Sequence, residues 1–176
     1  ACAPFRRLFL CDQHLSHMKE DKIDNTHKLL VEVCLAAKHE GELLKGYHDK
    51  YNATYSDSRS QLCTVLARSF ADIGDIIRGK DLFIGYDKKD RARRKQLEEN
   101  LIEIFGKIHE GLTTKNGKNR QKSAKDHYKD DNGGNYYQLR EDWWDANRKS
   151  MGCYHDVTLE VIRYFRGTCS NDTDFG

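Results

Sequence analysis

The sequence contains a single proline, Pro4, in 176 residues. Because proline interrupts helices and central strands, its scarcity permits long uninterrupted helices through the rest of the chain. A run of about 18 apolar residues is also absent, so no transmembrane helix is predicted in this stretch. The first residues lack the apolar region of a signal peptide, and they are typical of the middle of a longer chain.

An excess of charge of one sign is missing as well. Lys and Arg total 30 against 28 Asp and Glu, which gives a net charge of +2. No recognised nucleic-acid-binding module occurs, so a nucleic-acid partner is not expected. Any attraction for an anionic partner must then come from local clusters of basic residues. The length and the hydrophobic content of 38% suit one globular domain or a large piece of one.

Signatures of catalysis and of metal or nucleotide binding are absent. The sequence has no CxxC pair, no HExxH, no GxSxG and no Gly-rich phosphate loop. His14 and His17 lie three residues apart, but no second ligand pair has matching spacing. Asp72 and Asp75 are better explained by ion pairs with nearby arginines than by acid–base catalysis. The sequence therefore predicts neither an enzyme nor a bound cofactor or metal.

Cysteine is present in an even number of widely spaced positions. This pattern favours three disulfides in an oxidising, extracellular setting over a zinc site or free thiols. Six cysteines allow many pairings, and the sequence does not choose among them. The candidates are Cys2, Cys11, Cys34, Cys63, Cys153 and Cys169.

Apolar residues recur at spacings of three and four along several segments, which predicts amphipathic helices. Thr26 is expected to cap the first helix and Gly46 to end it, while Gly79 is expected to terminate the second. No segment has the alternating pattern of a strand. The predicted helices cover about 26–46, 58–78, 88–110, 136–147 and, as a shorter segment, 157–165.

Two segments between the predicted helices lack periodicity and are expected to be loops. The first covers 46–58, and the second covers 111–134 and ends in two glycines. Trp143 and Trp144 are adjacent on the fourth helix, so their side chains point about 100° apart. Core packing explains them better than a ligand cage does. The predicted fold class is all-α, a disulfide-linked helical bundle with long loops.

Two clusters of basic residues contrast with the nearly neutral total charge. The first lies at the start of the third predicted helix, where positive charge opposes the helix dipole. The second lies in the long loop, which holds few acids. They are candidates for binding sulfated glycans or an acidic protein face, and the alternative is a solvated surface that confers solubility. Their residues are Lys88, Lys89, Arg91, Arg93, Arg94 and Lys95, followed by Lys115, Lys118, Arg120, Lys122 and Lys125.

Four strings of the sequence resemble, in the same order, the blocks of a known family. They are residues 2–11 (CAPFRRLFLC), 30–38 (LVEVCLAAK), 67–81 (ARSFADIGDIIRGKD) and 139–148 (LREDWWDANR). The family is that of the Duffy-binding-like domains, and the first and third strings are similar to its alpha class, found in variant surface antigens of the malaria parasite. Four long strings in the right order make the resemblance specific over about residues 1–148.

The resemblance implies a mainly helical fold made of the first two subdomains of the family. Residues 1–176 would be a single partial domain, with a loop-rich first part containing one helix over 1–58 and a helical-bundle part over 59–176. After Arg148 the chain departs from the family pattern, since the tryptophan expected there is missing. The third part of a full domain is also absent.

The resemblance implies a non-enzymatic adhesion module on the extracellular face of the infected erythrocyte, held by a membrane anchor outside this chain. The implied role is in cytoadherence and rosetting. The candidate ligands on host cells are heparan-sulfate-type glycans, complement receptor or blood-group sugars. Antibodies and neighbouring domains of the same antigen are the other expected partners. The family blocks transfer no ligand-contacting residues, so the basic clusters are the candidate binding residues on their own chemistry. The alternative role is a scaffold and antigenically variable module whose neighbours do the binding.

Overall fold

The computed structural model of the chain describes residues 5–53, 59–112, 124–128 and 132–153. Four long helices dominate these residues, and short helical turns connect them. No described residue lies in a β-strand, which confirms the predicted all-α class. The helices are α1 (Phe5–Leu8), α2 (Gln13–Ser16), α3 (Thr26–Asn52), α4 (Arg59–Arg78), α5 (Lys88–Gly111), α6 (Ala124–His127) and α7 (Tyr137–Cys153), with a 3₁₀ turn at Asn132–Gly134.

Helix α3 differs from the sequence prediction at both ends. Asn25 rather than Thr26 is the N-cap, and its side-chain oxygen accepts a hydrogen bond from the backbone N–H of Lys28 at 3.0 Å. The predicted end at Gly46 is wrong, because the helix continues to Asn52. A glycine inside a helix costs only about 1 kcal/mol relative to alanine, and this local cost does not stop a helix that is already formed. Much of the predicted loop 46–58 is therefore helical, and 54–58 lie outside the described residues.

Helix α4 ends at a glycine, as predicted. Gly79 has a φ of +70°, a left-handed conformation that glycine adopts without steric cost. Its N–H donates to the carbonyl of Ile76 at 3.1 Å, and the N–H of Lys80 donates to the carbonyl of Asp75 at 2.8 Å. These two hydrogen bonds form a Schellman motif, which satisfies carbonyls at the helix end. The chain leaves α4 here and enters the loop that leads to α5.

The other predicted helices agree with the structure where it is described. Helices α4 and α5 have bounds within about one residue of the prediction, and α7 extends beyond it to Cys153. The segment 157–165 lies outside the described residues. Of the predicted long loop, α6 and the 3₁₀ turn are described, while 113–123 and 129–131 are not.

The apolar faces of the long helices meet in one core. Helix α3 packs against α2, α4 and α7, and α5 packs against α2 and α7. Fully buried side chains include Leu29 of α3, Ile77 of α4 and Phe105 of α5. The core therefore contains residues from both sides of position 58. The division of the chain at that position stays a prediction.

Trp143 and Trp144 of α7 are both buried, as the core-packing interpretation predicts. Trp143 meets the ring of Phe105 edge-on, with 5.9 Å between the centroids, and Trp144 lies against Phe70 at 5.1 Å. Trp144 also covers Gly74 of α4 so closely that a Cβ on this glycine would lie 2.6 Å from the indole. The absence of a side chain at Gly74 thus allows α4 and α7 to approach each other.

Replacing Gly74 with alanine is expected to lower the free energy of unfolding by about 1–3 kcal/mol, because the methyl group would overlap the buried indole of Trp144. The matched control is Gly46→Ala in α3, where nothing lies within 4 Å of the added Cβ. That variant is expected to gain about 0.5–1 kcal/mol, because alanine favours the helix. Urea denaturation followed by circular dichroism measures both values. Equal effects at the two glycines would contradict the close packing at Trp144.

Two of the six predicted disulfide cysteines have described side chains. Cys11 and Cys34 are free thiols in the structure, which does not support the prediction that they are paired. Cys34 is buried on α3, and burial raises the pKa of its thiol, so the protonated and less reactive form is favoured. The pairing of the other four stays a prediction, because their side chains are not described: Cys2, Cys63, Cys153 and Cys169.

Candidate functional site

The loop between α4 and α5 exposes a row of large apolar side chains. Leu82 is 84% exposed, Ile84 70% and Tyr86 83%. The residues that alternate with them, Phe83 and Gly85, are half-buried and buried. We call Leu82, Ile84 and Tyr86 the apolar ridge. Its side chains face the solvent because the alternate residues of the loop are held against the body of the protein.

A network of ion pairs connects this loop to α1, to α5 and to the segment before α2. Arg7 of α1 binds the carboxylate of Asp81, with its Nε donating at 3.1 Å and its Nη2 also in contact. Arg94 of α5 lies 3.2 Å from a carboxylate oxygen of Asp12 and 3.2 Å from one of Asp90. Arg93 contacts the same two carboxylates at 3.4 Å and 2.8 Å. We call this group the ion-pair platform; its members are Arg7, Asp12, Asp81, Asp90, Arg93 and Arg94.

Two charged groups of the ion-pair platform are buried, so their pairing matters for the stability of the fold. Arg7 is 3% exposed and Asp12 is 4% exposed. An unpaired charge at such a depth is strongly unfavourable, whereas the three guanidinium groups and three carboxylates of the platform compensate one another. Separating the loop from α1, or α5 from the segment before α2, would leave some of these charges without partners. The platform therefore holds these elements in one arrangement.

Phe83 anchors the middle of the loop. The guanidinium carbon of Arg94 lies 4.4 Å from the centre of its ring, and that of Arg7 lies 5.5 Å away. The N–H of Phe83 also donates to the carboxylate of Asp81 at 3.1 Å. Gly85 has a φ of +112°, and a Cβ there would lie 2.7 Å from the backbone nitrogen of Arg91. The cation–π contacts and the close approach at the glycine together fix the course of the loop.

Two aspartates form the junction between the loop and α5. Asp87 is the N-cap and accepts a hydrogen bond from the N–H of Asp90 at 2.7 Å, while Asp90 accepts one from the N–H of Tyr86 at 3.0 Å. Burial alone would raise the pKa of Asp90. The hydrogen bonds from the Tyr86 backbone and from the side chains of Arg93 and Arg94 outweigh burial and lower this pKa from 3.8 to about 2. Asp90 therefore stays ionised in all but strongly acidic solution.

The lowered pKa of Asp90 predicts a specific acid sensitivity. A carboxyl group whose pKa is lower in the folded chain stabilises the fold above its unfolded pKa of about 4, and this contribution is lost as the pH falls through about 2. We expect Asp90→Asn to be less stable than the parent by about 2 kcal/mol at pH 7. The difference should shrink as the pH falls from about 5 to 2. Denaturant titrations across this range measure it, and a difference that stays constant would contradict a stabilising role for the ionised carboxylate.

The first predicted basic cluster divides into two groups in the structure. Arg93 and Arg94 belong to the ion-pair platform, so their charges are already paired with carboxylates. Two acids near the helix start, Asp87 and Asp90, also offset the unfavourable interaction of the basic cluster with the helix dipole. The binding role predicted for Arg93 and Arg94 stays a prediction, although a structural role now explains their presence.

The other members of the first cluster face the solvent. Lys88 and Lys89 are exposed, and their side chains make no hydrogen bond or ion pair within the described part of the chain. Arg91 is exposed and its Nε donates to the carbonyl of Gly85 at 3.4 Å, which places it beside the loop. Lys95 lies 3.7 Å from Glu99, and both side chains are solvent-exposed. We call Lys88, Lys89 and Arg91 the basic rim, since they follow the apolar ridge closely in sequence and Arg91 contacts the carbonyl of Gly85 within the loop.

The second predicted basic cluster falls mostly outside the described residues. Lys125 is described on α6 and is partly buried. The members beyond the description are Lys115, Lys118, Arg120 and Lys122.

The sequence interpretation missed the apolar ridge. Its signal was present, because residues 82–86 (LFIGY) place four large apolar or aromatic residues between a helix-ending glycine and a helix-capping aspartate. Large apolar residues in a segment without helical period are either buried by other elements or exposed for a partner. The ion pairs that decide between these two outcomes join residues far apart in sequence.

Among the described side chains, no group of three or more His, Cys, Asp or Glu residues is arranged to hold a metal ion. None of the described helices combines the length and apolar character needed to span a membrane.

Comparison with known proteins gives a family match and a match to a solved structure. The family described as the Duffy binding domain matches residues 1–170. The solved structure of the N-terminal NTS-DBL1-alpha and CIDR-gamma double domain of the PfEMP1 protein from the Plasmodium falciparum varO strain matches with a TM-score of 0.66. The two are 39% identical, and the match covers 86% of this chain and 20% of the other. No curated protein matches the chain.

The family match includes all four strings on which the resemblance was based, and the structural match adds the same helical fold at substantial identity. This chain spans about a fifth of the length of the solved relative. The chain belongs to the Duffy binding domain family, as a Duffy-binding-like domain of the PfEMP1 malaria antigen.

Proposed function

We propose that this chain is a host-receptor adhesion module in which the basic rim binds sulfated glycans or glycoproteins. The observation that carries the proposal is the exposure of Lys88, Lys89 and Arg91 beside a platform whose own charges are compensated. Cations without an acidic partner retain their attraction for sulfate groups. The paired cations of the platform retain less of this attraction, because the neighbouring carboxylates offset their charge.

The position of the basic rim supports this role. Lys88, Lys89 and Arg91 lie in the first turn of α5, so they extend from one end of a long, packed helix. Holding the attachment points fixed reduces the conformational entropy lost when a ligand binds. With a net charge of only +2, the attraction would be local to this surface and would weaken as salt screens it.

The proposal includes the second basic cluster and the cellular setting. The second set of cations proposed to bind anionic ligands is Lys115, Lys118, Arg120, Lys122 and Lys125 of the long loop. We place the module on the extracellular face of the infected erythrocyte, anchored by a segment outside this chain, in cytoadherence and rosetting. Complement receptor, blood-group sugars, antibodies and neighbouring domains of the antigen are the further partners proposed. Neither a cofactor nor catalysis is part of this function.

A scaffold role is the second candidate. The pairing of Arg93 and Arg94 with Asp12 and Asp90 favours it, because part of the apparent basic surface serves to hold the fold together. In that case neighbouring domains would bind the receptor, and this chain would supply rigid support and a variable surface.

Glycan-array binding separates the two candidates. The test variant carries Lys88→Glu, Lys89→Glu and Arg91→Glu, and the matched control carries the same change at Lys19, Lys22 and Lys45, which are also exposed. Each exposed ion pair contributes on the order of 0.5 kcal/mol, so losing three lowers affinity for heparan-sulfate glycans about tenfold or more.

The control is expected to change binding by no more than about threefold. Two of the control residues, Lys19 and Lys22, lie in the loop before α3. This loop is held near the C-terminal half of α5, because the ammonium group of Lys107 binds the carbonyl of Glu20. The third, Lys45, lies on α3. Equal losses in both variants would indicate general charge attraction, and no loss in either would favour the scaffold role.

A further inference from the structure

We propose that the apolar ridge is a protein-binding element, and that its partner is a folded protein with an apolar pocket rimmed by carboxylates. The inference rests on the proposed adhesion function and deepens it, since it gives the receptor a protein component that uses the same basic rim as the glycan. Leu82, Ile84 and Tyr86 are 70–84% exposed within eight residues of α4. Exposed apolar side chains scattered singly need no explanation, but three in one short loop form a patch of the kind that marks interaction sites.

The backbone of the ridge is prepared for binding before a partner arrives. Phe83 packs against the guanidinium group of Arg94, and Gly85 lies close to the backbone of Arg91. The N–H groups of Phe83 and Tyr86 donate hydrogen bonds to the carboxylates of Asp81 and Asp90, respectively. A loop already held in one conformation loses little entropy on association. Rigid apolar and aromatic anchors of this kind supply much of the binding energy at the centres of protein interfaces.

The charges around the ridge indicate what surrounds the partner's pocket. Lys88 and Lys89 follow the ridge in sequence, and Arg91 reaches back to the carbonyl of Gly85 inside it. A pocket rimmed by Asp or Glu would pair with these cations while its apolar interior receives Leu82, Ile84 and Tyr86. A basic rim of the partner would be repelled.

A protein surface suits this arrangement better than a lipid surface. The ridge has three side chains on a fixed backbone, and each can enter a separate depression of a shaped pocket. Membrane-surface binding instead depends on a large apolar area of an amphipathic helix or on a lipid anchor. The described ridge is short and non-helical. It can therefore fit a shaped protein pocket, but it lacks the large apolar area that membrane binding needs.

The test uses erythrocytes treated with heparinase, so that glycan-dependent attachment is removed before the ridge is examined. Beads coated with the chain are compared with beads carrying a variant with Leu82→Ser, Ile84→Ser and Tyr86→Ser. The matched control changes three exposed apolar residues of α3 in the same way, namely Val31, Leu43 and Tyr47. Urea denaturation of both variants checks that these exposed substitutions leave the fold intact.

The parent is expected to bind the treated cells, and trypsin treatment of the cells is expected to abolish that binding. The ridge variant should bind at least about tenfold less strongly, with the control within about twofold of the parent. The proposal is overturned if the parent shows no trypsin-sensitive binding, or if the ridge variant binds as the parent does. Ridge-dependent binding that survives trypsin and is reproduced on phosphatidylserine vesicles would assign a lipid surface and also overturn it. The glycan proposal is tested by a separate experiment. It fails if the basic-rim variant binds the glycan array as strongly as the parent does.

Discussion

Replacing Arg140 with leucine is expected to lower the free energy of unfolding by about 2–4 kcal/mol, because it removes the guanidinium that pairs with the partly exposed carboxylate of Glu98 and leaves the carbonyls of Ile76 and Ile77 without their donor. Arg140 of α7 is fully buried. Its guanidinium binds both carboxylate oxygens of Glu98 on α5, at 2.6 Å and 2.9 Å. It also donates to the carbonyl of Ile77, at the end of α4, at 2.7 Å. One side chain thus connects three long helices.

The control for Arg140 lies on the same helix. Arg148 is 51% exposed and lies 3.7 Å from Asp145, so Arg148→Leu is expected to change stability by no more than about 0.5 kcal/mol. Urea midpoints and slopes of the two variants measure the difference. A free energy of unfolding for Arg140→Leu within about 1 kcal/mol of the parent would show that the three helices do not depend on this contact.

Removing the side chain of Arg94 is expected to affect both stability and binding. Arg94→Ala takes away the cation that contacts Asp12 and Asp90 and lies over Phe83. Because Asp12 is buried, loss of a partner costs about 2–4 kcal/mol. The loop then loses part of its support, so the apolar ridge should bind more weakly although none of its residues is changed.

Hydrogen exchange separates this local effect from general destabilisation. The amides of Phe83 and Tyr86 donate to the carboxylates of Asp81 and Asp90, and we expect both to exchange faster in Arg94→Ala. Lys95→Ala is the neighbouring control, because Lys95 is 78% exposed and should leave both amides unchanged. Unchanged exchange in the Arg94 variant would contradict the supporting role of the platform.

Helical periodicity predicted the parts of the fold that depend on local sequence. The stripes of α4 and α5, the glycine that ends α4 and the burial of both tryptophans could all be inferred from spacing and residue type. Gly46 was misread because a single glycine carries the same local signal inside a helix as at its end. Whether a helix continues past a glycine depends on the stability of the helical turns before and after it. In α3 these turns favour the helix, which continues to Asn52.

The candidate site was less accessible to sequence reasoning because its charges are paired over long distances. Arg94 looks like its neighbour Lys95 in the sequence, yet it meets Asp12, some 80 residues earlier, whereas Lys95 points to solvent. The same contacts decide that Phe83 is held inward while Leu82 and Ile84 are exposed. Local patterns predict a basic helix start, and only the tertiary contacts divide it into structural and exposed cations.

The central claim is that the solvent-exposed cations at the start of α5 form an adhesive surface. It is tested most directly by retention of the chain on immobilised heparin over a salt gradient, beside a variant with Lys88, Lys89 and Arg91 changed to serine. A second variant changes the loop cluster in the same way. We expect the parent to elute above the physiological ionic strength of about 0.15 M and the first variant to elute distinctly earlier. Elution of the parent and both variants together, below that ionic strength, would contradict the claim.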